Sequence, residues 1–290
     1  MRFGAVFPQA EFGRCDPEAV LHFVREVEAA GYDHLLAFDH VLGANAAARE
    51  SWDGAYDHQD PFLEPVVLFA WLARECNLEF VTDVMVLPQR QTALVAKQLA
   101  TLELLAPGRT RLGVGIGWNA VEYDALGIDF ASRAARLEEQ VSLLRRLWTE
   151  PSLDHHGATE RVEAAGIAPL PPQPLPVWIG SSADPRATGR VGRLADGWLP
   201  MPQVQPGRGF EDAWNHVHGA AREAGRDPSS IGLEGHVRVG GDDVDRVRGR
   251  VDRWRAVGAE AVAVNPLRAG LAWPDGHLDA LRRSAESIID

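Results

Sequence analysis

The chain has 290 residues, of which 46% are hydrophobic and 24% charged, and its formal net charge is −12. That size and apolar share suit one large globular domain and exclude a disordered chain, while the negative balance disfavours nucleic acid or anionic membrane as a partner. No apolar run reaches the ~18 residues of a membrane span, and the opening MRFGAVFPQA lacks the apolar core and cleavage site of a secretory signal. Cys15 and Cys76 are far apart, without CxxC spacing, and read as two buried thiols in a reducing cytoplasmic setting. Lys97 is the sole lysine and sits within a helical pattern, which leaves Schiff-base chemistry with nothing suited to carry it.

Short β-branched runs alternate with helical patterns from end to end. Phe3–Phe7 reads as a first strand. Asp16-Pro17 opens a helix through Ala30, stopped by Gly31. His34–Phe38 is a second strand, followed by a polar loop from about Val41 to Asp60. A helix from Phe62 to Glu75 leads to a third strand, Leu78–Met85. The helix Thr92–Leu105 ends at Pro107-Gly108, before a fourth strand, Arg111–Ile116. Ser132–Thr149 is strongly periodic. The stretch 151–176 is an irregular insertion, rich in Pro and Gly, with room for a small hairpin. Val177–Ile179 and Gly197–Leu199 read as strands, with helices at Asp184–Leu194 and Glu211–Ala224. The segments Gly232–Val239, Asp242–Val257, Ala261–Val264 and His277–Ile289 complete eight strand–helix units. That count fits a closed α/β (β/α)8 barrel, a TIM barrel, better than an open sheet, and residues 1–290 read as a single domain.

In such a barrel the chemistry lies on loops after the C-terminal ends of the strands. The second strand ends in AFDH, which puts Asp39 and His40 at the mouth. A rim histidine can carry a proton near neutral pH, or merely bond a loop carbonyl. The carboxylate of Asp39 either raises the histidine's pKa or caps the next loop. In the fourth strand Gly113, Gly115 and Gly117 alternate with larger residues, leaving one face bare for a flat ligand or for tight packing. This is not a GxGxxG fingerprint. Gly180-Ser181-Ser182 before Asp184-Pro185 offers backbone N–H groups at a helix start, either as an anion site or as ordinary capping. Trp52, Tyr56, Trp118, Trp198 and Trp273 fall near strand ends or long loops, as an apolar ligand pocket requires. His58, His155 and His156 lack metal-ligand spacing, so no metal site is expected.

These segments resemble the luciferase-like monooxygenase family, in particular its branch dependent on coenzyme F-420. The resemblance rests on AFDH, on TDV and PQR in VTDVMVLPQR, and on PGRTRLGVGIGW with Glu122. It continues through RAARLEEQVSLLRRLW and PVWIGSS with GRLADGW, in order over nearly the whole chain. It implies a homodimeric (β/α)8 barrel that moves a hydride between a deazaflavin and a small organic substrate. It implies that Asp39 and His40 flank the ring, with His40 catalytic, and that Thr82 and Asp83 lie under it. Gly115, Ile116, Gly117 and Trp118 would border the cofactor, and Gly180, Ser181 and Ser182 would hold its phosphate. It also implies a bulge or a non-proline cis peptide between Asp83 and Val84, backing the central ring. An FMN-dependent monooxygenase and a non-catalytic flavin-binding relative are the alternatives. The sugar-phosphate dehydrogenases of the branch carry a carboxylate where this chain has Trp118, which argues against that substrate.

Overall fold

A computed structural model describes residues 1–13, 15–241 and 244–289. Strands β1 (Arg2–Val6), β2 (His34–Ala37), β3 (Glu79–Thr82), β4 (Met85–Val86) and β5 (Thr110–Gly115) form the first half of the barrel. Strands β6 (Leu153–His156) and β7 (Arg161–Ala165) make an antiparallel hairpin in the insertion. The barrel resumes with β8 (Val177–Ser181), β9 (Gly197–Pro200), β10 (Gly232–Arg238) and β11 (Ala261–Asn265). All barrel pairings are parallel, and β3 bonds both β2 and β5, so the sheet closes on itself. The third strand is divided, with β3 and β4 as its two parts. Val81 faces Arg111, yet Met85 faces Val114, one residue short of an even register. This is a one-residue bulge, and the Asp83–Val84 peptide within it is cis, as the resemblance implied.

Helices α1 (Pro17–Ala29), α2 (Pro65–Leu72), α3 (Thr92–Leu105), α4 (Ala120–Ala125) and α5 (Arg133–Leu147) alternate with the first strands. Helices α6 (Pro185–Leu194), α7 (Arg208–Glu223), α8 (Val244–Ala256) and α9 (Asp275–Ile288) follow the later ones. Local chemistry sets their starts. Asp16 caps α1 by accepting from Glu18 N, with Pro17 supplying its fixed φ at the first position. Gly31, at φ 89°, then turns the chain into β2. Helix α2 is shorter than Phe62–Glu75, because Glu64 caps it by accepting from Val67 N and so fixes its start at Pro65. The first two residues of the segment expected as Asp242–Val257 lie outside the described residues; α8 is observed from Val244.

The main core lies between barrel and helices, where Trp148, Trp254 and Phe69 are fully buried. A small second cluster of Val6, Leu36, Val81 and Ala263 fills the barrel interior, with Phe38 above it. Below it the barrel is closed by charge. His34 Nε2 lies 2.6 Å from Glu234 Oε1, Arg111 Nη1 lies 2.6 Å from Glu234 Oε2, and Arg111 Nε lies 3.2 Å from Glu79. Arg111 also covers the ring of Trp178 at 4.5 Å. These ions fill the lower end of the barrel, which leaves the mouth as the end where a ligand would enter.

Candidate active site

His40 stands beyond the end of β2 in a box of rings. Its imidazole centroid is 4.7 Å from Phe62, 5.1 Å from Tyr56 and 5.7 Å from Trp118. Nδ1 faces Oε1 of Glu122 at 3.5 Å, an ionic contact looser than an ordinary hydrogen bond. Glu122 reaches this place from α4, whose start is set by Asn119 accepting from Val121 N. Its Oε1 also accepts from Val41 N at 2.6 Å and Leu42 N at 3.2 Å, and its Oε2 from Gln89 at 3.3 Å. Burial pushes the Glu122 carboxyl upward, but His40 and these donors outweigh it and hold it below the usual carboxylate range.

Asp39 neither caps the loop nor contacts the histidine. Its carboxylate takes Arg90 in a fork, at 2.6 and 3.2 Å, and accepts Val86 N at 3.0 Å. Arg90 reaches on to Glu64 at 3.0 Å. Asp39 therefore ties β2 to β4 and to the cap of α2, which fixes the backbone on which His40 stands.

The glycine face is filled by the bulge. A Cβ on Gly115 would come within 2.5 Å of Val84 Cγ2, and one on Gly180 within 2.6 Å of Val84 Cγ1. One on Gly113 would strike the Thr82 carbonyl at 2.0 Å. Gly117, at φ 63°, makes the turn off β5 against Val86. The alternating glycines thus admit other backbone and Val84, and the Val84 methyls give the mouth an apolar floor. Thr82 donates its hydroxyl to Gly113 O at 2.7 Å, and Ile116 O accepts from the Tyr123 hydroxyl at 2.7 Å. Trp118 is 41% exposed, and Trp52 leans on it at 5.9 Å.

At β8 the Ser181 hydroxyl accepts from Trp198 Nε1 at 2.9 Å and donates to Ser182 O at 3.1 Å, so it is already engaged. Asp184 caps α6 by accepting from Arg186 N at 2.9 Å. Asp83, next to the bulge, points its Oδ2 at His236 Nε2 of β10, 3.3 Å away. Beside His40 a cavity of about 160 Å³ is lined by Tyr56, Phe62, Asn119, Asp57, His58 and Asp60.

A family model described as luciferase-like monooxygenase matches residues 1–275. The chain belongs to that family. An uncharacterized protein of Mycobacterium tuberculosis is 35% identical over 60% of this chain, a match spanning 62% of that relative. An F-420-dependent glucose-6-phosphate dehydrogenase of Nakamurella multipartita is 28% identical, over 89% of this chain and 73% of that one. Among solved structures, the monooxygenase RslO1 from Streptomyces bottropensis superposes with a TM-score of 0.79 at 19% identity. That match covers 100% of this chain and 99% of the other, and it establishes the fold.

Within this luciferase-like barrel the structure gathers His40, Trp118, Tyr56 and Trp52 at one side of the mouth. Asp83, Gly115 and Gly180 meet at the bulge, and Ser182 lies at the start of α6. Two expected pocket aromatics are elsewhere. Trp198 is fully buried, stacked on Phe210 at 5.6 Å, because its ring points outward to α7. Trp273 packs on Phe7 and Phe23 at 5.8 and 5.2 Å, in the core behind the barrel. Cys15 is exposed, not buried, while Cys76 is buried. His155 serves the hairpin by meeting Glu139 at 3.0 Å. Sequence reasoning missed Glu122 as a site residue, although its place in α4 just beyond the β5 glycines was a usable signal. It also missed Phe62, Arg90 and His236, which no spacing rule connects to the mouth.

Proposed function

We propose that this family member is an oxidoreductase that transfers a hydride between the deazaflavin F-420 and a small organic substrate. The observation that carries this is His40, enclosed by three aromatic rings and backed by the buried Glu122, at the mouth of a luciferase-like barrel. The F-420-dependent relative from Nakamurella supports the choice of cofactor class. When bound, a deazaflavin supplies the hydride chemistry, and the chain supplies place and protons. The apolar floor of Val84 over Gly115 and Gly180 fits the flat face of such a ring, and Thr82, Asp83 and Trp118 border it. Gly180 on β8 and Ser182 between β8 and α6 are the candidates for its phosphate, together with the backbone of Ser181. Nδ1 of His40 faces Glu122, which leaves Nε2 as the atom that exchanges a proton with substrate. The rings of Tyr56, Phe62 and Trp118 flank the imidazole and leave it partly exposed beside the cavity. The cavity beside His40, at about 160 Å³, suits a small substrate and not the ring itself.

A second reading is oxygenation with FMN as the alternative cofactor; the likeness to the RslO1 monooxygenase supports the oxygenation and says nothing of the cofactor. Titrating the protein with F-420 and with FMN, followed by fluorescence quenching, separates the two. Turnover is then measured with reduced and oxidised cofactor on enones, alcohols and quinones. Tight F-420 binding with oxygen-independent turnover is expected. Binding of FMN alone, with oxygen consumed, would replace the first reading by the second. We further propose a homodimer. The stripe Val67 and Trp71 on α2, with Leu94 and Leu105 on α3, is apolar and exposed on neighbouring helices.

A further inference from the structure

The contact between Asp83 and His236 specifies where a proton goes. His236 lies on β10, is 6% exposed, and its Nδ1 is buried with no hydrogen-bond partner. A proton on Nδ1 would leave a buried N–H without an acceptor. A proton on Nε2 has one, the Oδ2 of Asp83 at 3.3 Å. The neutral imidazole is therefore the Nε2–H form, and Oδ2 is committed to accepting from it. Oδ1 receives no hydrogen bond from any described residue. A proton held by Asp83 must then sit on Oδ1. Burial, the largest influence on this carboxyl, pushes its pKa up against the pull of His236.

The other charged groups around the pair do not undo this. Below it Glu234 and Arg111 neutralise one another at 2.6 Å, so neither offers Asp83 a free counter-charge. Above it the half-buried Tyr56 hydroxyl stands in the fields of Arg268, Asp60, Arg238 and Asp83.

We propose that Asp83 donates a hydrogen bond through Oδ1 to a flat heterocycle bound at the mouth, and that His236 is the positioning residue that directs its proton there. The ligand class is one that offers a carbonyl oxygen or ring nitrogen as acceptor, as the pyrimidine edge of a flavin or deazaflavin does. This rests on the cofactor reading above.

The test is quenching of FMN and F-420 fluorescence from about pH 4 to about pH 9, a span that runs upward from the ordinary aspartate range. Wild-type affinity should fall as pH rises and Oδ1 loses its proton. Asp83→Asn reproduces the protonated arrangement, its amide oxygen accepting from His236 and its NH2 standing at Oδ1. It should bind as wild type does at low pH, with the pH dependence gone. His236→Phe should weaken binding about tenfold, the worth of one oriented hydrogen bond, and His236→Gln should recover most of it. An unchanged pH slope in Asp83→Asn, or unchanged affinity in a folded His236→Phe, overturns the proposal alone. If wild type binds neither ring at any pH, the cofactor reading fails and takes this proposal with it.

Discussion

A carboxylate that accepts two backbone N–H groups from a loop, and faces the histidine of that same loop, couples its protonation to the loop's shape. Glu122 is placed in this way. Glu122→Ala leaves the Val41 and Leu42 amides unpartnered, at about 1–3 kcal/mol for each donor that water does not reach. Glu122→Gln keeps an acceptor oxygen but removes the charge beside His40, so turnover should drop and the melting temperature at neutral pH should fall modestly. The folded pKa of Glu122 is depressed. Its charge therefore contributes stability above the unfolded carboxylate pKa, and that contribution is lost as pH falls through the folded value. Melting temperatures of wild type and Glu122→Gln across the acid range should converge at low pH; a constant gap would remove the coupling. His40→Ala makes the companion case. Turnover should be lost with affinity for cofactor and thermal stability near wild type, and loss of stability alone would make His40 a packing residue.

At the scale of elements, the barrel's lower closure is the feature most sensitive to charge. Burial pushes Glu234 up, but Arg111 and His34 more than reverse it and hold it down to about 2. Its pairing thus supports the fold above the ordinary glutamate range and fades only as pH drops toward that value. Glu234→Gln leaves Arg111 with Glu79 as its one remaining acidic partner among the described residues and should cost up to about 3–5 kcal/mol in denaturant unfolding. A loss below 1 kcal/mol would mean that water reaches Arg111. The bulge gives a second test. Gly180→Ala should clash with Val84, at about 1–3 kcal/mol for overpacking, and Val84→Ala in the same chain should restore most of it. Strictly additive effects would show that the two residues do not share the space. The sequence was informative about such elements where pattern is local. Alternation of β-branched runs and helices located every barrel strand, and Thr92–Leu105 matches α3 end to end. The shortened α2 and the partners of Asp39 escaped it, because Glu64 and Arg90 act through contacts between separate units. The bare face of β5 was legible as glycine spacing, yet what fills it, Val84, comes from the neighbouring strand.

For the whole molecule, the closed barrel and the placing of the mouth follow from one repeated pattern read along the chain, and the family from the motifs that resemble it in order. What pattern does not reach is which surface meets another copy. The α2–α3 stripe predicts a dimer in light scattering, and Trp71→Glu with Leu105→Glu should give a monomer with unchanged circular dichroism. A wild-type monomer at micromolar concentration would sink that expectation.

The loop after β2 is pinched where it leaves the barrel. A Cβ on Gly43 would sit 2.2 Å from the Asp57 carbonyl, and His58 N bonds Ala44 O at 3.0 Å, so its ends meet in a narrow neck. Residues 45–55 hang from that neck as a removable cassette, while Tyr56, which packs on His40 and Phe62, belongs to the barrel side. The parts that hold His40 in place, Asp39 on Arg90 and Glu122 on Val41 and Leu42, all lie on the barrel side of it. An evolving lineage, or an engineer, can therefore exchange the cassette for one of another length without disturbing the contacts that hold His40. Under the proposed function, substrate range and catalytic competence become separately inherited traits, and a graft cut inside Phe38–Leu42 forfeits that independence.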